Sequence, residues 1–488
     1  MVQGLKRHWI LLTCVVFVIA NALLSANEIF VLNLLPAALL VLWALVGSLD
    51  RLLFFIVFAT PLSINLEQLD IGGIGVSLPT EPIMVGIMLL FLLKLALEKN
   101  VLDPAVLRHP ITAIILAQVI WMAVCIIPSE MPLVSVKFFT ARLWFVTTMY
   151  FVMTRLFADR ANMHRFFWAF LPGLAIVIAY TLINHAQYRF AHDPAHWVMT
   201  PFFKDHTSYG AVIAFFIPFG IAAVGMPGYS RTRKAVAGLL LLLLVAGLVL
   251  SFTRAAWVSL AGALGIFLFM KMRIPVWTLA ALLLVGGAVY LVKGDEITMA
   301  LERNRDESSD DLAEHVSSIS NISSDASNLE RINRWNSAIR MFQERPMFGW
   351  GPGTYMFQYA PFQASEDRTI ISTNFGIQGN AHSEYLGPLS EQGLPGMLLM
   401  VLLVVVTTVR AMRLWARMPA GEEKRLYTAA FLGLVTYYLH GSLNNFLDTD
   451  KAAVPFWAFT AMVVVLDLRY AKGNALDVSA AGAGRDRR

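Results

Sequence analysis

An all-α, polytopic membrane-spanning helical bundle is the fold class this chain predicts, and three observations predict it. Of its 488 residues 57% are apolar, with a mean hydropathy of +0.62, far outside soluble composition. Apolar runs of about the 20 residues needed to cross a bilayer recur along it. Its basic residues fall on alternate loops. The runs lie at 9–26, 29–47, 50–66, 81–98, 110–128, 137–157, 165–184, 208–226, 235–252, 255–272, 275–292, 395–412, 426–444 and 453–469. They are fourteen candidate helices, with 50–66 the weakest.

Cytoplasmic loops retain Lys and Arg, whereas short outer loops lack them. With the N-terminus inside, 24 of the 38 Lys and Arg residues fall on the inner side, among them Arg51, Lys94, Arg160, Arg231 and Lys424. Half of the rest lie in one long loop after Lys293, which a short-loop rule does not count. Both termini are therefore expected to be cytoplasmic. The net charge of +5 reflects topology and gives no basic patch for nucleic acid. Lys6 and Arg7 precede the first run, and the small residues near Ser25 and Ala26 run straight into another apolar stretch, as in an uncleaved signal anchor. Cys14 and Cys125 both fall in predicted helices, which excludes a disulfide framework or thiolate metal site in the outer loop. No metal or cofactor is expected.

Four regions follow. Residues 1–292 form an N-terminal transmembrane region of about eleven helices, 293–394 a large, partly helical outer loop, 395–470 a C-terminal region of about three helices, and 471–488 a disordered cytoplasmic tail. Within the loop, Gly294–Ser324 is rich in Ser, Asp, Glu and Asn and carries a sequon at Asn321. Ser327 to Glu330 then spell a capping box, predicting a helix from Asn328 to Glu344. On that helix Ile332, Trp335, Ile339 and Phe342 form an apolar stripe read as packing. Arg331 and Arg334 can point together, while Arg340 reads as a solvated face. Pro346 ends the helix, and Gly349–Gly353 make a turn whose glycines allow close backbone approach, with Trp350 as wall or lipid anchor. Next come Asn380 to Leu386, holding His382 at the outer membrane surface, and Glu391-Gln392-Gly393 before the next helix.

Arg254 is a lone cation in a short outer turn, opposed to the positive-inside tendency, so it needs an anionic partner: a phosphate or an acidic loop residue. His206, His440, Asn444, Asn445 and Asp448 lie near outer helix ends, where polar groups often mark a site. Asp448-Thr449-Asp450 has the spelling of a nucleotide-sugar motif but falls on the outer side, where nucleotide sugars are not supplied, and is discounted.

Several of these pieces together resemble the superfamily of O-antigen ligases and Wzy-type O-antigen polymerases. They are Arg331 with Trp335 ahead of Pro346 and the Gly349–Gly353 turn, His382 before Tyr385-Leu386, and Glu391-Gln392-Gly393. Ser251-Phe252-Thr253-Arg254 and Asp205-His206 ahead of Tyr209-Gly210 add to them. The resemblance covers residues 204–466, and the fourteen candidate helices exceed the twelve or so it implies.

It implies transfer of a glycan from an undecaprenyl diphosphate carrier to an acceptor hydroxyl at the periplasmic face of the bacterial inner membrane, without nucleotide sugar, cofactor or metal. The acceptor would be a lipid A core sugar or a second lipid-linked glycan. His382 is then the catalytic general base, and Arg254, Arg331, Arg334, Tyr385 and His206 are substrate-binding residues. A histidine titrating near 6.5 suits a hydroxyl nucleophile, and the planar fork of arginine suits a leaving diphosphate. Two alternatives stand beside this. One is a protein-directed O-oligosaccharyltransferase. The other is a transporter or flippase, for which matching inverted pairs of Gly- or Pro-broken segments are missing.

Overall fold

The computed structural model describes residues 16–19, 21, 49–66, 75–99, 101–275, 277–278, 281, 326–365, 367–368, 372 and 379–483. The chain divides into two compact units, Met1–Ile56 and Val57–Arg488. The runs at 29–47 and most of those at 9–26 and 275–292 lie outside the described residues, as do Lys6, Arg7, Ser25, Ala26, Cys14, Gly294–Ser324 and the Asn321 sequon.

The longer helices are α1 (Leu49–Ala59), α2 (Thr80–Leu97), α3 (Pro110–Ile126), α4 (Pro132–Val146), α5 (Arg160–Gln187) and α6 (His206–Val224), followed by α7 (Arg231–Val249), α8 (Arg254–Lys271), α9 (Ala326–Glu344), α10 (Leu386–Arg417), α11 (Glu422–His440) and α12 (Asp450–Ala483). Among the described residues, α2, α5, α6, α7, α8, α10 and α12 contain stretches long and apolar enough to cross a membrane. The chain is a polytopic helical membrane protein. A π-helical turn, Thr147–Val152, continues α4 into Met153–Leu156, so the predicted 137–157 span is one bent element. The helix of α12 passes position 470 and runs to Ala483.

The weakest expected span, 50–66, is corrected: α1 stops at Ala59, the chain turns, and Ile64–Asn65 (β1) pairs antiparallel with Ser77–Leu78 (β2). Polar contacts with α12 hold that turn. Lys451 Nζ donates to the carbonyls of Thr60 and Ser63 at 2.7 and 2.6 Å, and Asp450 accepts from Thr80 Oγ1 at 2.6 Å. Asp450 is thus absorbed in structural hydrogen bonds.

In a membrane, helices associate through close van der Waals packing rather than expulsion of water. Phe167 stacks on Phe219 with centroids 4.1 Å apart and Phe170 on Phe216 at 4.2 Å, joining α5 to α6, while Phe459 of α12 packs edge-on against Phe215 and Phe216. A Cβ on Gly433 would lie 2.6 Å from the Phe215 carbonyl oxygen, so only glycine lets α11 approach α6 this closely. At one end of the bundle Glu423 ties Arg160 and Arg469 together. The opposite end gathers the starts of α6, α8, α10 and α12 and the ends of α5, α7 and α11, together with α9.

The helix α9 corrects two expectations. It begins at Ala326, so Ser327 lies within it rather than capping it. Its buried face is Glu330, Asn333, Arg334, Ser337, Ala338 and Met341, whereas Ile339 is exposed. The polar members can be buried because they satisfy one another: Asn333 Nδ2 donates to Gln363 Oε1 at 2.8 Å, and Arg334 Nε to Glu330 Oε1 at 2.6 Å. Arg340, expected to be solvated, donates to the Phe362 carbonyl at 2.9 Å and pairs with Asp367 at 2.7 Å. Trp350 is buried with Ala338, Met341, Tyr355, Tyr359 and Ala381, and its Nε1 donates to the Met341 carbonyl at 3.0 Å.

Candidate active site

The Gly349–Gly353 turn fastens the outer loop to the start of α10. Trp350 N donates to Ser390 O at 3.0 Å, Gly351 N to Glu391 O at 2.9 Å, and Leu394 N to Pro346 O at 2.9 Å. At Gly393 (φ 69°) the helical path of α10 breaks, and a Cβ there would lie 2.2 Å from the Met347 carbonyl oxygen. Gly393→Ala is therefore expected to destabilise the protein by roughly 1–3 kcal/mol, through a strained left-handed backbone and a clash. Thermal unfolding in detergent checks this, and an unchanged midpoint would refute it.

Immediately before α10, residues 380–385 form a short irregular segment. Glu384 locks it: its buried carboxylate accepts from Tyr437 Oη at 2.5 Å and from the amides of Phe446 and Leu447 at 2.7 and 2.9 Å. Burial pushes the Glu384 carboxyl above the usual range, and the Tyr437 hydrogen bond opposes it. His382 has φ 47°, uncommon for a residue with a Cβ, and is held there by an Asx turn in which its amide donates to Asn380 Oδ1 at 3.1 Å. Trp335 Nε1 donates to the His382 carbonyl at 3.3 Å, fixing the segment against α9.

Asn444 lies beside the His382 ring, where it favours the charged imidazole, and its Nδ2 is 3.2 Å from His440 Nε2. A neutral imidazole keeps one of its two ring nitrogens as an acceptor. Burial, followed by the positive charges of Arg331 and Arg334, pushes His382 down to about 4. His382 is therefore neutral at pH 7.

Arg331 lies within electrostatic reach of His206, His382 and His440 alike. His206 opens α6, with its ring centroid 4.3 Å from that of His196 in an edge-on contact, and its buried Nδ1 has no hydrogen-bond partner among the described residues. Asp205 caps α6 by accepting from Ser208 N at 2.8 Å and Thr207 Oγ1 at 2.6 Å. Burial alone would raise the Asp205 carboxyl, but these hydrogen bonds outweigh it and hold the group below its ordinary range. Thr253 Oγ1 donates to the His206 carbonyl at 2.7 Å, which brings the turn carrying Arg254, the first residue of α8, against the start of α6.

The structure thus brings His206, Arg331 and His382 together, with Arg254 on the adjoining turn. It assigns the other two expected residues differently. Arg334 is buried in its ion pair with Glu330, and its guanidinium lies 3.9 Å from the Tyr359 ring centroid, so its charge is already compensated and it supports α9. Tyr385 donates its hydroxyl to the Tyr438 carbonyl at 2.8 Å, so it anchors the segment to α11. Asn444 and His440, noted in the sequence as outer polar residues, join the site. Glu384 was not singled out, although it stands two residues from His382.

Residues 239–401 match the family model described as O-Antigen ligase, a stretch that contains Arg254, Arg331 and His382. No curated protein matches the chain.

Proposed function

From the match of residues 239–401 to the O-antigen ligase family model, we propose that this protein is a membrane glycosyltransferase working on the periplasmic side of the bacterial inner membrane. It moves a glycan from undecaprenyl diphosphate to the hydroxyl of a lipid A core sugar or of a second lipid-linked glycan. The observation that carries the reading is the convergence of a neutral, strained histidine, His382, with Arg331 at one end of the bundle.

In the reaction the acceptor oxygen attacks the anomeric carbon while its proton passes to the free nitrogen of His382. The bond from that carbon to the diphosphate oxygen breaks, and the electron pair leaves with undecaprenyl diphosphate. Arg331, joined by Arg254, stabilises the charge gathering on that oxygen. Asn444, beside the ring, favours the imidazolium that forms. His206 completes the polar wall facing the phosphates.

A pH profile follows from the charge balance. In the free enzyme His382 is depressed to about 4, so the acid limb of kcat/KM should fall only near that pH. A bound diphosphate offsets Arg331 and favours the imidazolium, so the limb of kcat should lie at higher pH. The reverse order would contradict the assignment. The function itself is tested with purified protein, undecaprenyl diphosphate-linked glycan and two acceptors. Product on core lipid A identifies a ligase, a ladder on lipid-linked repeats identifies a polymerase, and product on neither refutes the reading.

A further inference from the structure

A crevice lies on the other face of the 380–384 segment, between α3, α4 and α10. Its outer half, about 670 Å³ including its open mouth, is bounded by Arg142, Glu384, Glu391, Asn445 and Asp448. Its inner half, about 500 Å³, shares Arg142 and Glu384 and continues along Val119, Met122 and Leu399 to Trp457. A polar mouth therefore runs directly into an apolar slot among the helices.

Glu384 and Glu391 already accept hydrogen bonds from within the fold, but three other polar groups of this crevice are unmatched. The Arg142 guanidinium sits 5.9 Å from the ring centroids of Phe138 and Trp457, facing the Glu384 and Asp448 carboxyls across space without contact. Among the described residues no hydrogen bond or ion pair holds it. Asn445 Oδ1 and Trp457 Nε1 are buried with no hydrogen-bond partner among the described residues. A buried donor and a buried acceptor left open beside a half-exposed guanidinium are costly unless a ligand meets them. Sugars offer such groups, since each hydroxyl both donates and accepts.

We propose that this crevice holds the lipid-anchored acceptor, its sugar against Arg142, Asn445 and Glu384 and its hydrocarbon along Val119, Met122 and Leu399. The inference rests on the transferase reading above. Charge separates acceptor from donor: the crevice offers a diphosphate one arginine, Arg142, whereas the other side of the segment offers Arg331 with Arg254 on the adjoining turn. Asn444 and Asn445 are consecutive, one beside the His382 ring and the other lining the crevice, so an acceptor seated here lies one segment's thickness from the base.

The test measures KM separately for donor and acceptor in the full-length protein, with core lipid A and a lipid-linked repeat each offered as acceptor. Arg142→Leu and Asn445→Leu should each raise the acceptor KM about tenfold or more while leaving the donor KM unchanged. Val119→Trp, which narrows the apolar half without touching the polar one, should do the same if Arg142→Leu fails to fold. An unchanged acceptor KM in a folded variant, or a donor KM that rises instead, overturns the assignment while wild-type transfer keeps the transferase reading intact. Wild-type protein that transfers to neither acceptor overturns both.

Discussion

His382→Ala is expected to lower glycan transfer by about 10²- to 10⁴-fold, the range lost when a positioned general base is removed. Membrane insertion should survive, because the backbone around His382 is held independently of the ring by Asn380, Trp335 and Glu384. Equal amounts of variant and wild type in the membrane, with transfer measured on both, check this. Transfer within threefold of wild type would remove His382 from the chemistry. The strained φ of 47° sharpens the expectation, since a backbone cost at this residue is maintained only where the surrounding structure imposes it.

The second large effect belongs to Arg331. Its replacement by alanine should cost about 10²- to 10³-fold in kcat, comparable to removing one preorganised donor from a site of developing negative charge. Arg331→Lys should recover only part of this, because an ammonium keeps the charge but loses the planar fork that pairs two phosphate oxygens. A rise confined to the donor KM with kcat unchanged would show that Arg331 binds the diphosphate without favouring its departure. The same substitution removes the positive charge that depresses His382, so the acid limb of kcat/KM should also move to higher pH.

Where the chain is apolar at membrane-crossing length, the fold is legible from sequence, and ten of the expected runs recur as helices, α2 to α8 and α10 to α12. Length alone mistook 50–66 for a span, since the interruption is set by contacts of Lys451 and Asp450, far away in the chain. His382 and Arg331 were readable because their chemistry is unusual on an outer loop. Burial of Arg334 was not, because hydropathy periodicity assigns the packed face of α9 to Ile332, Trp335, Ile339 and Phe342, whereas the fold buries Glu330, Asn333 and Arg334 as a mutually bonded set. Arg142 carried a usable signal: like Arg254, it is a cation on the outer side of the predicted topology.

The most direct test of the central claim is the stoichiometry of carrier release in single-turnover transfer by purified protein. One undecaprenyl diphosphate should be freed for each glycan joined to an acceptor, and both should disappear together in His382→Ala. Carrier freed as the monophosphate, or glycan crossing a sealed vesicle wall still attached to its carrier with no transfer product, would contradict the account.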